Sequence, residues 1–343
     1  MAVERKDTIF LRIHSQENRN VKTTGKLVTA GLAAGGALGA MALLNKLTTS
    51  QAGELSTVRR DEERRYPWKY GDIFYQVNGE RESRPLLLVH SLAPGASSYE
   101  WRKNIDALAE PFRVYALDLL GTGLSDRPAI EYTPETYTDL IGDFLREVIG
   151  KPATVVAHGL SSAFAATCAA RRPQLFEKLI MVSPPISLLA ERQTGFSTAA
   201  LKTMLKLPIV GEFLYNMLTS RHALQSYYDR QGYHNPGLVT DQMIEYVFSC
   251  AHQADSHHLA VSLFSKGLVM DIRESLARLR VPTIAFWGRE EELSPNEASA
   301  AYRQVNSHIE TRIIDHSNQQ LQDEQAGRFN ALVREFAGTA IAQ

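Results

Sequence analysis

Residues 154–173 read TVVAHGLSSAFAATCAARRP. An unbroken apolar run, a glycine, and then small residues at helical spacing describe a buried strand, a tight turn and a helix. The apex of the turn is Gly159. Glycine adopts positive φ freely, so the apex is free to take a conformation that would strain any other residue. It also has no side chain with which to do chemistry.

Outward from this turn the pattern repeats. Strand candidates are IFYQV (73–77), LLLVH (86–90), VYALD (114–118), LIMVS (179–183), TIAFW (283–287) and TRIID (311–315). Most are continuous in Val, Ile, Leu and Ala, as expected for parallel strands covered on both faces. Helical stretches lie between them. One opens at Thr133-Pro134, an N-cap followed by proline at the first helical position. The alternation predicts an α/β fold: an open, mostly parallel sheet with helices on both faces.

In five segments the chain resembles the α/β-hydrolase superfamily, over about residues 66–340. LLLVHSLAPGASSYEWRKNI resembles the strand and loop that supply half of an oxyanion hole. VYALDLLGTGLSDRP resembles the family's Asp-x-x-Gly-x-Gly-x-Ser-Asp-Arg-Pro turn, with Asp118, Gly121, Gly123 and Asp126 as its structural residues. VVAHGLSSAFA occupies the nucleophile elbow, VPTIAFWGREEELSP the acid turn, and IIDHSNQQLQDEQ the histidine loop. The resemblance implies a helical cap over the pocket at about residues 184–271.

Carried over position by position, the family's triad is incomplete. The elbow pattern Gly-x-Ser-x-Gly is here Ala157-His158-Gly159-Leu160-Ser161, so Gly159 stands where the nucleophile belongs. The acid position falls on Glu291, flanked by Glu290 and Glu292, a context equally suited to an acidic surface turn. Matching Glu324 to the family's glutamate puts Gln319 at the histidine position, and glutamine cannot take a proton from a hydroxyl. The oxyanion amides fall on Leu92 and Leu160, with Ser91 replacing the glycine of the loop. Losing nucleophile and base together argues against the family's covalent chemistry, because those groups act as a unit. Rescue by Ser161 or Ser162 with His316 is the competing reading. For both serines the plainer role is a hydroxyl bonded to nearby backbone. His158 reads as packing beside its strand.

The N-terminal part has a different character. Between Lys26 and Lys46 lie 19 uncharged residues, LVTAGLAAGGALGAMALLN. As a helix they span roughly 28 Å, near the ~30 Å of a bilayer core. Gly31, Gly35 and Gly39 would form a stripe for close approach of a second helix, by self-association or with a partner. Residues 27–45 are therefore read as a single-pass membrane helix after a polar segment (1–26) and before a charged tether (46–65), with the fold domain over 66–343. A long-leader signal peptide and a small-residue helix packed on protein in a cytoplasmic molecule are the alternatives. Four basic residues in 7–26 against five in 46–65 leave orientation open.

Composition limits the rest. The net charge is −1, so no basic field invites nucleic acid. Two distant cysteines, Cys168 and Cys250, form neither a disulfide framework nor a four-ligand zinc site. His252, His257, His258 and Asp255 lack the spacing of a metal pair on one helix face, and no cofactor motif or metal site is expected. The sequence thus predicts a membrane-tethered α/β-hydrolase-fold protein with a degenerate site, binding a partner or a small apolar ligand under its cap. An unusual esterase-like hydrolase is the alternative.

Overall fold

The structure, a computed structural model, describes residues 35–55, 63–185, 203–265, 267–291 and 295–338. Eight strands form one sheet in the order β1-β2-β4-β3-β5-β6-β7-β8. They are β1 (Glu63–Trp68), β2 (Gly71–Asn78), β3 (Arg84–Val89), β4 (Phe112–Leu117), β5 (Ala153–His158), β6 (Phe176–Val182), β7 (Thr283–Gly288) and β8 (Glu310–Ile314). The pairs β1·β2 and β2·β4 are antiparallel, and every later pair is parallel.

The central strands are apolar throughout because both faces are covered. Leu87, Val89, Val155 and Ala157 point into one buried cluster, while Leu86, Leu88 and Val156 point into another on the opposite face. The helix Pro134–Phe144 starts where the sequence predicts. Thr133 accepts from the Thr136 amide, the Thr136 hydroxyl faces back to the Thr133 amide, and Pro134 fills the first position.

Between β6 and β7 the described cap consists of the helices Val210–Leu218, Arg221–Tyr227, Asp241–Ala251 and His257–Phe264. Two clusters of ties to the sheet domain centre on buried or part-buried carboxylates. Tyr233 donates to the buried Asp323 carboxylate, which also holds Arg102 at 2.5 Å and Lys103 at 2.9 Å. Glu324 accepts from the His234 and Asn235 amides at 3.0 and 2.8 Å.

The domain boundaries differ from those read in the sequence. A helix runs from 35 to 50, past the expected end at 45, and Glu63–Arg65 of the expected tether form the start of β1. Residues 27–34, including Gly31, lie outside the described residues, while Gly35 and Gly39 face open space. The helix docks on the cap rather than standing apart. Asn45, 3% exposed, donates to the Ile209 carbonyl at 2.9 Å and accepts from Asn216 at 3.1 Å. Gly53 follows with a bond from its amide to the Ser249 hydroxyl. Among the described residues no helix is long and apolar enough to cross a membrane.

Candidate functional site

β5 delivers its last residue, His158, to the end of the sheet, and the chain then turns sharply into the helix Ser161–Arg171. Gly159 at the apex has φ +55° and donates to the Val182 carbonyl at 2.8 Å. A cavity of about 380 Å³ opens over it. Gly159, Glu291 and Gln319 all line this cavity, together with Ser91, Tyr227 and Trp287. The three positions that the sequence resemblance assigns to the triad thus lie around one cavity.

The atoms present do something other than form a triad. A Cβ added to Gly159 would lie 2.4 Å from the Ser91 hydroxyl oxygen, so the oxyanion-loop serine occupies the space above the apex. Gln319 accepts the Tyr227 hydroxyl through its side-chain oxygen at 3.0 Å, which anchors it to the cap. Glu291 accepts from the Ser183 hydroxyl at 2.8 Å and the Gly288 amide at 2.7 Å. Burial pushes the Glu291 carboxyl up, those two bonds and His158 pull it back, and it settles at about 7.

His158 is not only packing beside its strand. Its Nδ1 lies 2.8 Å from Glu100 and its Nε2 lies 3.0 Å from the Gln319 carbonyl. The carbonyl can only accept, so Nε2 carries hydrogen; facing an ionised Glu100, Nδ1 carries one too, which favours the imidazolium. Burial opposes that charge, but Glu100, then Glu291 and the carbonyl, outweigh it and raise the histidine above its ordinary value. A ring that donates from both nitrogens has no lone pair left to act as a base. Spacing cannot point to Glu100, which lies 58 positions away in a segment read only for its oxyanion amide.

The rescue candidates are placed elsewhere. Ser161 donates to the His90 carbonyl at 2.7 Å and Ser162 to the Ala157 carbonyl at 2.8 Å, both wholly buried. His316 is exposed at φ +57°, across the loop beside His234, and joins neither serine. No described residue accepts from the Leu92 or Leu160 amides, so both remain available to a ligand oxygen. His252 is satisfied by the Phe248 carbonyl and Thr219. Cys168 and Cys250 are buried, and burial pushes each thiol up to about 12.

The sequence profile of the alpha/beta hydrolase fold matches residues 84–238. A 2-hydroxymuconate semialdehyde hydrolase from Pseudomonas sp. (strain CF600) is 24% identical over 271 residues, covering 75% of this chain and 88% of that one. Among solved structures, a variant meta-cleavage product hydrolase from Pseudomonas fluorescens IP01 superposes with TM-score 0.65 at 21% identity, over 82% of this chain and 99% of that one. A protein described as a membrane phospholipase A and bacterial virulence factor gives TM-score 0.66 at 18% identity, over 92% and 96%. Profile, sheet and elbow agree: this chain has the α/β-hydrolase fold.

Proposed function

We propose that this protein uses the α/β-hydrolase fold without the family's covalent chemistry, and binds a small, largely apolar ligand in the cavity over Gly159. The observation that carries this is the Ser91 hydroxyl lying 2.4 Å from where a nucleophile's Cβ would stand, above a residue with no side chain. The base position supports it, because Gln319 is tied to Tyr227 and both ring nitrogens of the nearby His158 are engaged, by Glu100 and by the Gln319 carbonyl. Leu92, Leu160, Pro184 and Trp287 give the cavity an apolar lining, and the Leu92 and Leu160 amides supply the polar end for a ligand oxygen.

Attachment to a membrane through the N-terminal segment belongs to the same reading. Leu38, Leu43, Leu44 and Leu47 of the helix 35–50 are 42–59% exposed, and Met204, Leu207, Met217 and Leu218 of the cap are similarly bare. Apolar exposure on that scale fits a bilayer surface, with the glycine-rich residues 27–39 entering it. One fold neighbour is itself described as a membrane protein.

The second reading is hydrolysis by other residues. The available amides and a Glu291 carboxyl near 7 favour it. Labelling the full chain with a fluorophosphonate, followed by mass spectrometry, separates the two. No adduct, beside a labelled active relative, is expected. An adduct on Ser91, Ser161 or Ser162 would overturn the non-catalytic reading. Flotation of the full chain with liposomes tests attachment, and Leu43→Glu with Leu47→Glu is expected to reduce it.

A further inference from the structure

Three loops from different parts of the chain meet outside the cavity wall and leave His234, Glu290 and His316 together. A ring nitrogen of each histidine and a carboxylate oxygen of Glu290 all lie within 4.8 Å of one another. His234 comes from the cap, Glu290 from the turn after β7, and His316 from the turn after β8.

The backbone beneath them is held in place independently. The Glu290 carboxylate accepts the Ser317 amide at 2.9 Å, and the Glu290 amide donates to the Ser317 carbonyl at 3.1 Å. Glu324 fixes the third segment, accepting the His234 and Asn235 amides and also the Asn318 amide at 2.8 Å. His316 sits at φ +57°, a conformation uncommon for a residue with a Cβ. The two imidazoles lie 6.2 Å apart and tilted by 40°, so they converge without stacking. No described residue makes a hydrogen bond to a ring nitrogen of either one.

We propose that His234, Glu290 and His316 bind one divalent transition-metal ion of the zinc class. Two imidazoles and one carboxylate are the donor set of zinc, cobalt and nickel sites, whereas calcium and magnesium prefer oxygen throughout. Bonds of about 2.0–2.1 Å in tetrahedral geometry require donor atoms closer together than they stand here. Rotation of two exposed histidine side chains brings them in, with the backbone left where it is. Water completes the coordination. The ion joins the cap to the loop that carries Gln319 and to the turn that carries Glu291. It thereby clamps two walls of the cavity without entering it. This site stands independently of whether the cavity binds or hydrolyses its ligand.

The test uses the full chain, stripped with chelator, then titrated with zinc by calorimetry and with cobalt(II) by visible absorption. One ion per chain is expected, with a cobalt spectrum of mixed nitrogen and oxygen ligation. His234→Ala and His316→Asn should each weaken zinc binding at least tenfold; asparagine is chosen because it tolerates positive φ. Glu290→Gln should weaken it several-fold. Zinc should raise the melting temperature of the wild type and not of either histidine variant. The half-buried pair His257→Ala with His258→Ala should change nothing. Unchanged zinc affinity in both histidine variants, loss of binding in the His257/His258 control, or saturation by calcium in place of zinc would each overturn the assignment.

Discussion

Two turns at the ends of parallel strands handle their polar groups in opposite ways. After β4, the Asp118 carboxylate accepts the Ser98 amide at 2.6 Å and the Leu124 amide at 2.8 Å, while Ser125 donates back to the Asp118 carbonyl. Asp126 closes onto Asp72 by a bond in each direction. Nearly every group is spent on backbone close by, and no residue of this turn lines the cavity over Gly159. After β5, the groups around Gly159 reach across the molecule: His158 to Glu100 and Gln319, Ser183 to Glu291, Gln319 to Tyr227. The first turn is architecture, and its residues match the family pattern. The second is a meeting point of distant loops, and there the pattern departs.

The largest effect is expected at His158. His158→Leu leaves Glu100 buried without its partner, at a cost of about 3–5 kcal/mol in equilibrium denaturation. It should also change the pH profile. The histidine is raised in the folded state, so its contribution is fully present below the unfolded value of about 6.5 and is lost as pH rises through the raised one. Glu100, Glu291 and the Gln319 carbonyl are the groups that face it. Wild-type stability should therefore fall across this window, and the leucine variant should lack that component. A variant that keeps the full slope would show that His158 is not the imidazolium described.

Asp118→Ala comes next. It removes two bonds to a charged acceptor and should cost about 3 kcal/mol. Because the turn does not line the cavity over Gly159, ligand binding at a temperature where the variant is folded should be unchanged. Altered binding would erase the distinction between the two turns.

Gly159→Ser is smaller, about 1–3 kcal/mol from positive φ and the crowding by Ser91. It should not gain fluorophosphonate labelling alone. Ser91→Gly, Gly159→Ser and Gln319→His combined should label at position 159. Equal labelling of the single variant would show that Gln319 does not hold the base position.

The smallest effect is at the N-terminal helix. Asn45→Ala should lower stability by about 1 kcal/mol and speed amide exchange over residues 35–50. No change in exchange would mean that the helix is held by something other than the asparagine pair.

What the sequence revealed follows the same division. The central strands, the Thr133 cap and the order of the loops are written locally, in apolar runs and short spacings, and were legible. So was the glycine at the apex. β1 was missed because it is an edge strand, with Arg65 and Pro67 exposed between buried Tyr66 and Trp68, and its charges read as a tether. The docking of the helix 35–50 was missed because one polar residue in a glycine-rich run, Asn45, decides it. The partner of His158 and the meeting of His234, Glu290 and His316 come from loops far apart in the chain, and periodicity carries no trace of them.

The Ser91 hydroxyl over Gly159 has a consequence for how this site can change over generations. Positions 91 and 159 are epistatic. A serine introduced at 159 while Ser91 remains passes through a crowded, strained intermediate. Trimming position 91 first opens a path that avoids the clash. The order of substitutions therefore matters: a side chain at 159 asks the Ser91 hydroxyl to rotate away, and a glycine at 91 asks nothing.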